Sequence, residues 1–316
     1  MLALISLVGL KAETTIYVGG VITDGFDSEP VYWRNGVFNK MFPEGAVPNG
    51  SFMGMAVENG IIYSCFKEGS YSSYINIYKS GTKIYSFSCE DNENYESMAV
   101  LNGNVYVVLY HNQSQKYYII KNGNKKPAWT YERSNGKYIC TENGILYYSR
   151  HTEYYDCRNR VFGYYVGGMS KEFGSTCSEC IDATNMRVIN GNIYFTGYNK
   201  IQGNEKGSIY KPNGFDGWIY DVAAADVFYY IGIPRDSKKR VLYNWNGINL
   251  LGASPEYEPL KIIGRGGKLF ILANKKVGST YEKVYITYTP STNTLYSTQL
   301  TSSYSAYITD FYVENK

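Results

Sequence analysis

At 316 residues and 44% hydrophobic side chains, the chain can bury a large core, and no low-complexity tract or Pro- or Ser-rich linker divides it. Its net charge of +3 is spread without long runs of one sign, which argues against a nucleic-acid footprint, since that needs a clustered basic face. Tyrosine is the outlier, with 35 residues against 13 Phe and 4 Trp.

Residues 1–12 stand apart. Leu2 to Leu10 are apolar except for Ser6 and Gly9, and Lys11-Ala12 precede the polar Glu13. This resembles the end of a secretory signal peptide with Ala12 before the cut, although the basic start of such a peptide is missing. The run is too short to span a bilayer, and no cysteine follows it as a lipid anchor. The expectation is an exported protein, secreted or held at the cell surface or in the periplasm, with its mature part at 13–316. An ordinary buried N-terminal strand is the plainer alternative.

From Thr14 onward the chain is written in strands. Thr14-Thr15-Ile16-Tyr17 is followed by Tyr32-Trp33-Arg34-Asn35-Gly36. A phrase then recurs in which an aromatic stands three residues beyond an Asn-Gly turn. It occurs as Asn59-Gly60-Ile61-Ile62-Tyr63, Asn102-Gly103-Asn104-Val105-Tyr106, Asn143-Gly144-Ile145-Leu146-Tyr147 and Asn190-Gly191-Asn192-Ile193-Tyr194. Looser copies lie around Asp226 to Tyr229 and Gly267 to Phe270. A second turn follows each copy, as at Ser80-Gly81, Asn122-Gly123, Asn213-Gly214 and Asn246-Gly247; Tyr164 to Gly167 and Tyr288 to Asn293 are degenerate versions. Asn-Gly between β-branched and aromatic runs is a strong hairpin signal, because a type I′ turn needs positive φ at both central residues. No stretch of ten or more residues has a helical period.

Each repeat is thus expected to hold four antiparallel strands in about 40 residues, the size of a β-propeller blade. The ends complement each other. Thr14 to Tyr17 matches the half of the phrase after the turn, and Ile308 to Asn315 matches the half before it. Residues 14–316 divide into seven units of about 43 residues. The expected fold is an all-β, seven-bladed propeller of four-stranded antiparallel blades, a single domain at 13–316, with N- and C-terminal strands sharing one blade. An open β-solenoid or two stacked sandwiches are the alternatives.

Of six cysteines, Cys65 and Cys140 fall inside strands as small core residues. Cys157, Cys177 and Cys180 fall in connections, where a disulfide is plausible. Cys177-Ser178-Glu179-Cys180 has zinc spacing but no second pair, so neither metal nor cofactor is expected. The acidic stretches Asp24 to Glu29 and Glu90 to Glu96 match no calcium-loop spacing.

In such a fold both short turn sets lie on one side, and the longer, irregular connections gather on the other, which is the better binding candidate. The two histidines, His111 and His151, occupy near-equivalent strand exits; two solvated loop residues are the plainer reading, an acid–base pair the sharper one. His151-Thr152-Glu153-Tyr154-Tyr155-Asp156 is the densest mixture of aromatic and ionisable groups. Rings beside carboxylates suit sugars, so His151, Glu153, Tyr154, Tyr155 and His111 are the candidate ligand contacts. No nucleophile elbow or phosphate loop is present and no catalytic residue is assigned. Trp33 and Trp245, in equivalent third strands, are expected to pack between blades.

The Tyr32 to Gly36 phrase, its echo at Asn244 to Gly247 and the repeated Val-x-Asn-Gly-x-x-Tyr resemble the repeats of uncharacterised secreted bacterial β-propellers, which carry Trp-Lys-Asn-Gly-type turns. The first unit, Ile16-Tyr17-Val18-Gly19-Gly20 through Trp33, also resembles a kelch repeat; later units lack the Gly-Gly. The resemblance implies a fold and an exported setting, with no functional residue to carry over. A monomeric, non-catalytic binding or scaffold propeller is expected, holding a glycan or another protein through its irregular face. The alternative is a carbohydrate-active enzyme, a lyase or hydrolase.

Overall fold

The computed structural model describes residues 14–23, 28–43, 45–69, 73–114, 116–127, 138–152, 161–166, 169–173, 184–198, 200–203, 209–210, 212, 214–251, 256–300 and 305–315. Asn-Gly chemistry sets the hairpins: Asn59 has φ 52° and Gly60 φ 76°, and Asn102-Gly103, Asn143-Gly144 and Asn190-Gly191 repeat the pair of positive values. Asn35-Gly36, Ser80-Gly81 and Asn122-Gly123 do the same at the second turns. The looser copy at Gly266-Gly267 keeps the pattern with φ 55° and 70°.

The strands form seven antiparallel sheets among the described residues. The first joins both ends of the chain, in the order Ser305–Asn315, Thr14–Thr23, Ser28–Arg34, Val37–Lys40. The second is Ser51–Glu58, Ile61–Glu68, Ser73–Lys79, Thr82–Cys89, and the third Glu93–Leu101, Asn104–His111, Lys116–Lys121, Asn124–Pro127. The fourth is Ile139–Glu142, Ile145–Thr152, Val161–Val166, Met169–Phe173, and the fifth Asn185–Ile189, Asn192–Gly197, Lys200–Gly203, Ile209–Tyr210. The sixth holds Gly217–Ala224, Phe228–Pro234 and Val241–Asn244, and the seventh Tyr257–Arg265, Lys268–Val277, Thr280–Thr289 and Thr294–Gln299. The described residues contain one 3₁₀ turn, Pro290–Thr292, and no α-helix. Among the described residues no helix is long and apolar enough to cross a membrane.

The leading strand of each sheet packs on the leading strand of the next, and Ser305–Asn315 packs on both Tyr257–Arg265 and Ser51–Glu58. Four-stranded antiparallel sheets set side by side along their first strands are the arrangement of a β-propeller. Ser305–Asn315 runs antiparallel to Thr14–Thr23 with Thr14 opposite Asn315 and Tyr17 opposite Tyr312. The core lies between sheets. Cys65, Ile75 and Ile77 of the second sheet meet Val105, Val107 and Leu109 of the third. Trp33, with no exposed surface, packs with Phe270, Leu272 and Phe311, as expected of an inter-blade residue. Trp245 is half-buried beyond its strand, tilted against Phe228 at 5.9 Å.

One sheet departs from the expected four strands. After Asn246-Gly247 the chain folds back instead of starting a long fourth strand. The Asn244 side chain accepts N–H bonds from Asn246 and Ile248, and the Ile248 carbonyl returns a bond to Asn244 N–H. This Asx turn competes with the ladder, leaving a single bridge between Tyr243 and Asn249.

Five leading strands are bulged at one equivalent place. The extra residues are Met53, Glu96, Tyr220, Leu260 and Thr309, and the first four stand seven positions ahead of the residue that completes the turn, at 60, 103, 227 and 267. A bulge bends its strand and re-aims the next side chain. Those next residues are Gly54, Ser97, Asp221, Lys261 and Asp310.

Candidate functional site

The strand order fixes two unlike sides. Turns between first and second strands and between third and fourth strands share one side; the remaining connections share the other. On that loop side, at strand starts, stand Tyr74, Trp218, Tyr281 and Tyr307, with 49%, 37%, 59% and 77% of their surface exposed. Among the described residues Tyr296 is the exposed aromatic of the turn side.

His111 ends its strand on the loop side. Its Nε2 lies 3.1 Å from Glu90 Oε2, and its Nδ1 accepts the Ser114 N–H at 3.1 Å. The Ser114 hydroxyl also lies 3.0 Å from Nδ1. A serine, an imidazole and a carboxylate therefore stand in line. The Ser114 amide shares the nitrogen that its hydroxyl would need as a base. The two Ser114 contacts let the ring hold the turn closed. Glu93 turns inward, with 1% exposure, and its Oε2 accepts the Glu90 N–H at 2.9 Å. Neither Glu90 nor Ser114 was singled out as a histidine partner from the sequence, although a serine three residues past a strand-end histidine is a turn-forming pattern.

His151 lies in the strand Ile145–Thr152, its backbone opposite Phe162. Its side chain, and the whole of Glu153, Tyr154 and Tyr155, lie outside the described residues, as do Cys157, Cys177 and Cys180. Cys65 and Cys140 are free thiols. Burial pushes the Cys140 thiol up to about 12, with Arg187 pulling the other way.

The densest ionisable cluster sits where the leading strands meet, and the sequence did not point to it. Asp221 follows the sixth sheet's bulge. Its carboxylate takes Arg187 Nε at 2.6 Å and the second guanidinium nitrogen at 2.7 Å, both from the fifth sheet. It also accepts Asn185 Nδ2 at 2.9 Å and the Ile262 N–H of the seventh sheet at 3.0 Å. Burial works to lower the Arg187 pKa, and the Asp221 carboxylate, bonded twice, overrides it and raises it. Lys261, at the seventh sheet's bulge, donates to the Thr309 carbonyl at 2.6 Å. Asp310, at the first sheet's bulge, accepts the Met55 N–H of the second sheet at 2.9 Å. The bulges of the sixth, seventh and first sheets thus send a side chain to the backbone of the next sheet, in one rotational sense.

Burial raises the Asp310 carboxyl above its usual range, opposed by Lys261, and lowers the Lys261 ammonium, opposed by Asp310. Tyr312 donates to the Met55 carbonyl at 2.6 Å, and the Tyr95 hydroxyl fills the space that a Cβ at Gly54 would take. Burial drives both phenols well above their ordinary value. The described Asp, Arg and Lys groups here are turned on one another and on backbone, which is the chemistry of a structural belt. Among the described residues no three His, Cys, Asp or Glu are placed to hold a metal ion.

No protein-family model and no curated protein matches the chain. Solved structures do. Prolyl oligopeptidase B from Galerina marginata aligns with a TM-score of 0.59 at 11% identity, covering 94% of this chain and 52% of that one. The acylaminoacyl peptidase of Pyrococcus horikoshii gives 0.52 at 9% identity, covering 86% and 48%. The β-propeller domain of the Trilobed protease from Pyrococcus furiosus gives 0.49 at 11% identity, covering 81% and 99%. The chain spans about half the length of the two peptidases. At these identities the likeness is one of fold.

Proposed function

We propose that the chain is an exported, monomeric, seven-bladed β-propeller closed by its two terminal strands, and that it binds glycans non-catalytically through its loop side. The observation that carries the binding reading is the asymmetry of exposed aromatics among the described residues: four rings, Tyr74, Trp218, Tyr281 and Tyr307, stand at loop-side strand starts. Rings presented beside polar loops stack on the apolar faces of sugars. His111, His151, Glu153, Tyr154 and Tyr155 are proposed to join this surface. Export rests on the apolar run at 2–10, and closure on the packing of Ser305–Asn315 against the leading strands on both sides of it.

The test is a glycan-array screen of residues 13–316, with products analysed for every glycan retained. Saturable retention without products is the expected result. Products would transfer the reading to the carbohydrate-active enzyme. Silence across a broad array would overturn the glycan reading in favour of a protein partner.

A further inference from the structure

The sixth sheet holds a cavity of about 240 Å³. Its walls come from Gly214–Asp216, which leads into the sheet, from Tyr230 and Pro234–Asp236, and from Tyr243 and Gly247. Sites for drug-sized ligands measure roughly 300–1,000 Å³, so this one takes a single ring.

Its apolar wall is aromatic. Phe215 meets Tyr230 edge-on at 5.2 Å and Tyr243 at 5.5 Å, and Tyr230 stacks on Tyr243 at 5.3 Å with 21° between the planes. Phe215 can lie there because residue 232 is glycine: a Cβ at Gly232 would overlap the Phe215 ring. The polar wall is charged. Asp216 accepts the Tyr198 hydroxyl at 2.9 Å through Oδ1, and Arg235 stands 3.6 Å from its Oδ2. The Arg235 side chain is 70% exposed, and Asp236 is exposed beside it, so both keep bonding capacity toward an incoming molecule.

A second observation points to a ligand. Tyr230 has no exposed surface, and its hydroxyl has no hydrogen-bond partner. Buried hydroxyls are almost always paired, so an orphan beside a cavity calls for a partner, and a bound molecule is one that would supply it.

We propose that this cavity binds one neutral pyranose ring, the terminal residue of a glycan held by the loop side. Phe215 and Tyr243, both partly exposed, take the sugar's C–H face, the Asp216 and Asp236 carboxylates accept from its hydroxyls, and Arg235 donates to its oxygens. Two carboxylates against one guanidinium turn away acidic sugars. The inference rests on the glycan reading above and supplies it with a subsite.

The experiment is calorimetric titration of the protein with the methyl glycosides of glucose, galactose, mannose and N-acetylglucosamine, beside the array screen. At least one is expected to bind saturably. Asp216→Asn, at the surface, should weaken that binding tenfold or more at unchanged melting temperature. Tyr230→Phe is the sharper variant. Removing an orphaned hydroxyl should leave the free protein as stable or more stable, while binding weakens several-fold; a residue that served packing alone would not separate the two. Variants that bind like the unmodified protein overturn the assignment. So does the absence of binding by all four glycosides, and if the array still retains glycans, the loop-side reading stands without this subsite. Silence in both removes both.

Discussion

The Glu314 carboxylate accepts the N–H of Gly60 at 2.9 Å, so the last strand of the chain holds the first hairpin turn of the second sheet. Two other sheets repeat the clasp. Glu58 takes the N–H groups of Asn102 and Gly103, and Glu142 takes that of Gly191 at 3.0 Å. Each glutamate directly precedes an asparagine at the end of its strand or just beyond it, at Asn59, Asn143 and Asn315. The repeat phrase therefore encodes a turn and also the grip on the next sheet's turn.

Glu314→Ala should accordingly destabilise the protein by about 1–2 kcal/mol, the range for a hydrogen bond to a charged group in partly exposed surroundings. Glu58→Ala should cost more, because two amides lose their acceptor. Urea unfolding of the variants measures both. Equal stability of Glu314→Ala and the unmodified protein would mean that the clasp adds nothing to the joining of the ends.

Asp221 is the most heavily bonded carboxylate of the belt, with 2% of its side chain exposed. Asp221→Ala leaves the Arg187 guanidinium partly buried without its counter-ion and should cost about 3–5 kcal/mol. The double variant Asp221→Leu with Arg187→Met removes both charges and should recover much of that loss. A double-mutant cycle reads the coupling directly. Additive losses would mean that the two side chains act independently.

The turns were legible because their signal is local: Asn-Gly between strand-forming runs demands one backbone geometry wherever it falls. The end-to-end pairing was legible for the same reason, since each terminus carries half of the phrase. The belt was not. Gly54, Ser97, Asp221, Lys261 and Asp310 have no side-chain type common to all five, and only the bulges make them equivalent. The three-stranded sixth sheet was missed because its Asn246-Gly247 looks like the other turns, while the Asn244 side chain captures the backbone that would have continued the ladder. Glu90 reaches His111 across 21 positions of sequence, a relationship that no local pattern carries.

The two sides of the molecule give a matched pair of substitutions. Tyr307 and Tyr296 are similarly exposed, at 77% and 68%, on the loop and turn sides respectively. Replacing either with Ala should change stability by no more than about 0.5 kcal/mol, as is usual for surface positions. Tyr307→Ala should reduce retention of array glycans, and Tyr296→Ala should not. Equal effects would dissolve the distinction between the sides.

Buried phenols give the protein a characteristic response to alkali. Burial raises Tyr95 and Tyr312 well above the ordinary 10.0, and burial together with the Glu68 bond raises Tyr78 to about 12. In each case the folded pKa exceeds the unfolded one, so above pH 10 the folded state holds more protons than the unfolded state. The stability contributed by the neutral phenols is intact below pH 10 and is lost as pH rises through the folded values. Phenolate absorbance of this set should therefore appear together with the loss of near-ultraviolet circular dichroism, not ahead of it. Tyr312→Phe separates the two parts of the effect. It loses the bond to the Met55 carbonyl, so stability at neutral pH should fall by about 1 kcal/mol. It also removes one proton from the linkage, so its decline above pH 10 should be shallower. Parallel stability curves for the variant and the unmodified protein would show that Tyr312 ionises in the folded state as freely as in the unfolded one.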